Sequence, residues 1–415
     1  MPINRRFFLH HGALAVAGTT VLPGFLVRSV LAQAASTAPR RRLVVIFQRG
    51  AADGLNIVVP YREKNYYAMR PSIAIPQEQV LDLDGSFGLH PSLSAFQPLY
   101  QHGQLAIVHA VGSPDMTRSH FDAQDYMESG TPGVKYTTDG WLNRALRAED
   151  RHHKVVHTPF RAIALAEDLP RSLVGPVPAL ALSSVNSFAV GGRSPNPSPA
   201  ASVFETMYST SGDRIFRTAG EETFDAIKML RAASPGQYTP ASGADYPNSA
   251  FGNNMKQIAQ LLKADLGVEA AFTDVGGWDT HQNQGAVNGQ LADRLRDFSG
   301  SIAAFWRDLG DSAANVTLVT MSEFGRTARE NGTGGTDHGH ANVMFVLGGD
   351  VKGGKVYGHW PGLEREQLNQ DRDLALTTDF RTVLGEVAGH SLGATNLELV
   401  FPGARVAPRT FLKLV

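Results

Sequence analysis

The chain contains no cysteine. That excludes disulfides, thiolate metal sites and a cysteine nucleophile, so any metal must be held by His, Asp and Glu. Net charge is nearly absent as well, with 38 Lys and Arg against 39 Asp and Glu, a balance of −1. So weak a field holds neither nucleic acid nor anionic lipid, and neither is expected as a partner. No HExxH helix is present, which leaves zincin-type peptide hydrolysis without its ligands. The stretch "GDVKGGKV" (349–356) has the outline of a phosphate-binding GxxxxGK loop. Val356 stands where a Ser or Thr would hold magnesium, and "YGHWPG" follows in place of a helix, so that function is excluded too.

What is present is a chain of 415 residues, 42% hydrophobic and 19% charged, enough to bury a large core. Its first 34 residues read as an address: paired arginines (Arg5, Arg6), a weakly apolar stretch broken by Gly12, Gly18, Pro23 and Gly24, and a small-residue exit at Ala32-Gln33-Ala34. A retained membrane anchor is the alternative, since the stretch has about the 20-residue length of a span. The breaks favour a cleaved twin-arginine signal. The expectation is therefore a periplasmic or secreted protein that meets the twin-arginine translocase and keeps no span afterwards. Residues 1–34 carry three arginines and no acid, so their removal takes the net charge to about −4.

Continuous apolar runs beginning at Leu43, Leu105 and Val316, and "ANVMFVLGG" (341–349), predict strands buried on both faces. "RAIAL" (161–165), "PALAL" (178–182) and "VEAAFTDVGG" (268–277) are further strands. Between positions 290 and 309, Leu291, Leu295, Phe298, Ile302, Phe305 and Leu309 recur at alternating fours and threes, one stripe on a long helix. "TTDFRTVLGEVAGHSLG" predicts a closing helix with a Thr cap. Strands alternating with helices imply an α/β fold with a mostly parallel sheet covered on both faces. Residues 41–415 are expected to form one domain, with the Pro/Ser/Gly-rich 184–250 region an insertion or cap.

In such a sheet, ligand-binding residues gather past the carboxyl ends of strands. Asp53, "TRSHFDAQD" (117–125), "GGWDTHQNQG" (276–285) and Glu323 all follow predicted strands. Each has a plainer explanation. Asp53 fits an Asp-Gly turn, Asp279 a cap, His281 a solvated loop, Glu323 a surface pair with Arg326, and Ser119 a helix cap. "GGTDHGHAN" is harder to dismiss. Asp337, His338 and His340 lose side-chain entropy and repel when protonated unless something holds them. Together these groups point to a metal site. Ser119, at a helix start that favours an anion, is the candidate nucleophile, with Arg118 and His120 as anion or leaving-group partners.

The set "RGAADGLN", "RSHFDAQDYMESG", "GWLNR", "GGWDTH", "MSEFGRTARENGTGGTDHGHAN" and "GGKVYG" resembles the exported bacterial family known as domain of unknown function 1501. That family is in turn similar, more distantly, to the alkaline phosphatase and sulfatase superfamily. The resemblance implies a three-layer αβα sandwich, alkaline-phosphatase-like, with one or two divalent ions at the strand ends. It matches Asp53, Asp279, His281, Glu323, Asp337, His338 and His340 to metal positions and Ser119 to the nucleophile. Phe324 departs from the pattern, standing where the superfamily has a histidine after the acid. A sulfatase-type modified residue is also missing, since there is no Cys and the one local match to the Ser form, "STAPR" (36–40), precedes the first strand. The implied function is hydrolysis of a phosphate-type ester, ahead of a sulfate ester, of a small molecule or polymer, with zinc, manganese or calcium. The alternative is a non-catalytic exported scaffold that retains a structural metal and serves envelope or surface-polymer assembly.

Overall fold

A computed structural model describes residues 40–150, 157–185, 229–230 and 238–415. The signal-like residues 1–34 and most of the 184–250 region lie outside the described residues. The main sheet has nine strands: β1 (Arg42–Gln48), β5 (Leu105–Gly112), β6 (Ala162–Leu165), β7 (Leu180–Leu182), β8 (Ala270–Val275), β9 (Val316–Ser322), β10 (Asn342–Gly348), β11 (Lys355–Tyr357) and β12 (Thr378–Asp379). Their order is β11-β5-β10-β9-β1-β8-β6-β7, with β12 alongside β5. A small antiparallel sheet is built from β2 (Val58–Val59), β3 (Leu81–Asp82) and β4 (Gly88–Leu89).

Every strand of the main sheet runs parallel to its neighbours except β10, which is antiparallel to both β5 and β9. Continuity of apolar residues places β1 at the centre, where alternate side chains enter different cores. Val44 and Ile46 pack with the helices Ala250–Lys263 and Gln290–Leu309 on one face. Leu43, Val45 and Phe47 pack with Trp141–Asp150 and Phe380–Leu392 on the other. The result is a three-layer αβα arrangement. The predicted stripe Leu291 to Leu309 is buried along its whole length, each such side chain contributing about 1.5–3 kcal/mol.

The closing helix is capped by Asp379, whose carboxylate accepts the Arg381 N–H, and not by a Thr; Thr378 is used in β12. A carboxylate there interacts with the helix N-terminus more strongly than a hydroxyl. No helix among the described residues is long and apolar enough to cross a membrane.

Candidate metal centre

Four segments meet at one rim of the sheet. β1 is followed by Gly50, β8 by the loop carrying Asp279 and His281, β9 by Glu323, and β5 by the helix His120–Ser129 with Ser119 as its N-cap. The Asp337–His340 segment precedes a strand, yet it reaches the same rim because β10 runs backwards. There it pairs with the segment after β9: Thr327 N–H donates to the Asp337 carbonyl at 2.9 Å, and Gly325 N–H to the His340 carbonyl at 2.7 Å. Gly339 permits this approach, since a Cβ at that position would lie 2.3 Å from the Arg326 carbonyl carbon.

Three imidazoles converge at the centre. His338 Nε2 is 3.0 Å from His120 Nε2 and 3.0 Å from His281 Nε2. Their other nitrogens all face groups that only accept. His338 Nδ1 lies 2.9 Å from the Arg118 carbonyl, His120 Nδ1 2.8 Å from Glu323 Oε1, and His281 Nδ1 3.1 Å from Asp337 Oδ1. Each Nδ1 therefore carries its proton, and in the neutral ring each Nε2 presents a lone pair to the others. Asp279 adds a carboxylate: Oδ1 is 3.0 Å from His281 Nε2 and 3.4 Å from His338 Nε2, and Oδ2 is 3.5 Å from His120 Nε2. Lone pairs this close repel unless a metal ion or a shared proton lies among them.

The separations fit such a cation. Ligands about 2.0–2.1 Å from a tetrahedral zinc stand roughly 3.3–3.4 Å from one another, and around His338 and Asp279, the latter through either oxygen, the contacts run from 3.0 to 3.5 Å. His120, Asp279 and His338 form a group able to hold a metal ion, and His281 adjoins it.

Electrostatics tune the donors. Burial pushes the Asp279 carboxyl up, but the Arg326 guanidinium, donating from Nη1 at 2.7 Å, outweighs it and keeps the group ionised below the usual range. The hydrogen bond to Glu323 raises His120, while burial lowers His338. Burial likewise raises Glu323, which is nevertheless held low by hydrogen bonds from His120, Gln124, and the Gly50 N–H at 2.8 Å. Asp337 is held low first by the Asn331 amide and then by His281.

The other expected residues lie elsewhere. Glu323 stands behind His120, in position to orient it. Asp53 is buried and taken at both oxygens by Arg70, at 2.7 and 3.0 Å, and also by Gln284 Nε2 at 2.7 Å. It braces the 276–285 loop from beneath. His340 turns inward toward Asp373, Arg118 and Asp115. The Arg118 guanidinium is engaged by Asp373 at 2.6 Å and Gln370 at 2.9 Å. Ser119 is exposed at its helix start, its Oγ accepting the Asp122 N–H at 3.5 Å. Phe324 packs on the rings of His120 and His338, with centroids 5.0 and 5.1 Å away. An apolar wall thus stands where a further ligand was expected. Arg70 is a lone cation in an unremarkable stretch, while Gln124, Gln284 and Asn331 lie inside the quoted motifs but are uncharged amides beside more conspicuous His, Asp and Glu residues.

Fold and site together define a mostly parallel α/β protein with a histidine–aspartate cluster at the carboxyl rim of its sheet. The chain belongs to the family described as protein of unknown function DUF1501, whose pattern matches residues 40–400. No curated protein matches the sequence. Similar solved structures include the PsFucS1 sulfatase from Pseudoalteromonas sp., at TM-score 0.38 and 12% identity over 95% of this chain and 78% of that one. The C-terminal periplasmic domain of EcEptC from Escherichia coli, in complex with Zn, gives 0.34 and 11% over 75% and 73%. Alkaline phosphatase from the Antarctic bacterium TAB5 gives 0.31 and 11% over 75% and 92%. The chemistry of the site rests on this chain's own side chains.

Proposed function

We propose that the protein is an exported, metal-dependent hydrolase of a phosphate-type or sulfate ester. One observation carries the reading: three Nε2 atoms and a carboxylate converge at the rim, one of them from His120, the residue that directly follows the helix cap Ser119. His120, His281, His338 and Asp279 would hold one divalent ion, and an imidazole-rich set suits zinc better than oxygen-seeking calcium. Such an ion would polarise the ester oxygen and lower the pKa of a nearby hydroxyl. Ser119 is the nucleophile in this reading. The first-turn N–H groups of its ten-residue helix, with the macrodipole, favour the anionic group it would attack. Arg326 acts through Asp279, fixing its orientation, and Arg118 supplies the carbonyl that sets the His338 tautomer. Asp53 and His340 are left out of the ligand set, and Glu323 and Asp337 serve as orienting partners.

A second reading has its own support. Were His281 to join His120, Asp279 and His338, four protein donors would close the coordination shell, as in structural zinc sites, whereas catalytic sites keep a position open. On that basis the protein is a non-catalytic scaffold of the envelope. Elemental analysis, paired with a phosphomonoester, phosphodiester and sulfate-ester screen of wild type and Ser119→Ala, separates the two. Turnover reduced at least a hundredfold in Ser119→Ala with metal retained supports the hydrolase. Metal-loaded protein inert on every ester supports the scaffold, and undiminished turnover in Ser119→Ala removes that residue from the mechanism. Export through the twin-arginine translocase is tested by Arg5→Lys with Arg6→Lys, which should hold the precursor in the cytoplasm.

A further inference from the structure

His120, Gln124 and Glu128 follow one another at intervals of a helical turn and share a face of the helix His120–Ser129. The first reaches the histidine cluster, and the other two meet Arg49, the residue directly after β1. Its Nη1 donates to Gln124 Oε1 at 3.0 Å and its Nη2 to Glu128 Oε1 at 2.9 Å, while Nε donates to Asp274 in β8 at 2.6 Å. The guanidinium also lies over the Phe47 ring, 4.5 Å from its centroid. Glu128 is buried and held at its other oxygen by the Ser172 N–H at 2.9 Å. Arg49 is therefore fixed in place.

Gln124 is the group on which this placement acts. A guanidinium only donates and an ionised carboxylate only accepts, so the amide has a single orientation. Its Oε1 faces Arg49, and its Nε2 donates to Glu323 Oε1 at 2.9 Å. The same carboxylate oxygen receives the His120 Nδ1–H and the Gly50 N–H, each at 2.8 Å. Turned the other way, the amide would press its carbonyl oxygen against the carboxylate that orients His120. We infer that Arg49 is a positioning residue for the cation site, acting through Gln124 and Glu323 on His120. The inference rests on the metal-binding half of the proposed function and not on ester hydrolysis. Removing the guanidinium frees the amide to rotate, and the hold of Glu323 on the imidazole weakens with it.

The test measures zinc affinity by dye competition in wild type, Arg49→Met, Gln124→Leu and the double variant. Gln124→Leu leaves the ion pairs of Arg49 with Glu128 and Asp274 in place, so it covers the case in which Arg49→Met does not fold. Each single variant should weaken zinc binding about fivefold, less than the about 10- to 100-fold of a direct partner of a metal ligand. The double variant should lose no more than about a further twofold, because both substitutions cut one path. A second readout needs no ion. The His120 Nδ1 proton, observed by NMR in metal-free, histidine-labelled protein and assigned by its loss in His120→Gln, should shift in both single variants. Full affinity in Gln124→Leu would overturn the inference. So would losses that multiply in the double variant, since Arg49 would then act by clamping the helix, and so would an unshifted proton. Wild type that takes up no zinc would sink the metal reading alone, and the proton resonance would then decide the inference by itself.

Discussion

His120 Nδ1 and Glu323 Oε1 stand 2.8 Å apart, and the carboxylate is buried. This pair fixes the His120 tautomer and turns Nε2 toward His338 and Asp279. Carboxylate–histidine pairs of this kind orient metal ligands and raise their basicity. Glu323→Gln keeps the volume but removes the charge. Metal affinity should fall 10- to 100-fold, read by competition with a chelating dye. An unchanged affinity would mean that Glu323 has no part in orienting a ligand.

His338 is the hub, with both other Nε2 atoms 3.0 Å from its own. A metal bound only by the folded state stabilises it by about 2.7 kcal/mol at a hundredfold excess over Kd. Zinc should therefore raise the melting temperature of the chelated wild type. His338→Ala should abolish that increment, since two of the closest donor contacts disappear. Differential scanning calorimetry with and without zinc reads both outcomes, and an equal rise in the variant would place the metal elsewhere.

Much of the fold was legible because hydrophobic runs carry their own length and period. The runs beginning at Leu43, Leu105 and Val316 are buried strands, and the 291–309 stripe is a helix. The rim clusters were legible for a topological reason, since loops after parallel strands share one edge. Other features depend on pairings that sequence does not display. That β10 runs antiparallel is invisible in "ANVMFVLGG", yet it alone brings His338 to the rim. His340, two positions on, has the same composition signal and faces inward. Asp53 looked like a rim acid, but its partner Arg70 is a lone cation 17 positions later, in "AMRPS". His120 follows a more conspicuous serine, and sequence alone casts it as that residue's helper, although its ring sits among the clustered imidazoles.

His109 gives the pH dependence. It is buried in β5 between Phe87 and Trp360, with Nε2 donating to the Val58 carbonyl at 3.0 Å. Burial pushes it down from 6.5 to about 4. The folded state thus holds it neutral while the unfolded chain takes a proton below 6.5. Its stability contribution is complete above that pH and is lost as pH falls toward about 4. From pH 7 to 5 the loss should be about 2 kcal/mol. Urea unfolding of wild type and His109→Gln at both pH values checks it, and the variant's pH slope should be shallower.

Asp53 and Arg70 are both fully buried, joined by two hydrogen bonds. Breaking such a pair from one side leaves an uncompensated guanidinium in the core, at a cost of about 3–5 kcal/mol. Asp53→Ala should therefore lower stability by about that amount, measured by denaturant unfolding of the metal-chelated protein. Gln284 would lose its acceptor as well, loosening the loop that carries Asp279 and His281. If Asp53 supports the site only in this way, the purified variant should hold as much metal per chain as wild type at saturating zinc, bound more weakly. A metal content below wild type at saturation, in protein still folded by circular dichroism, would instead make Asp53 a ligand, displacing Arg70 from its carboxylate when the ion binds.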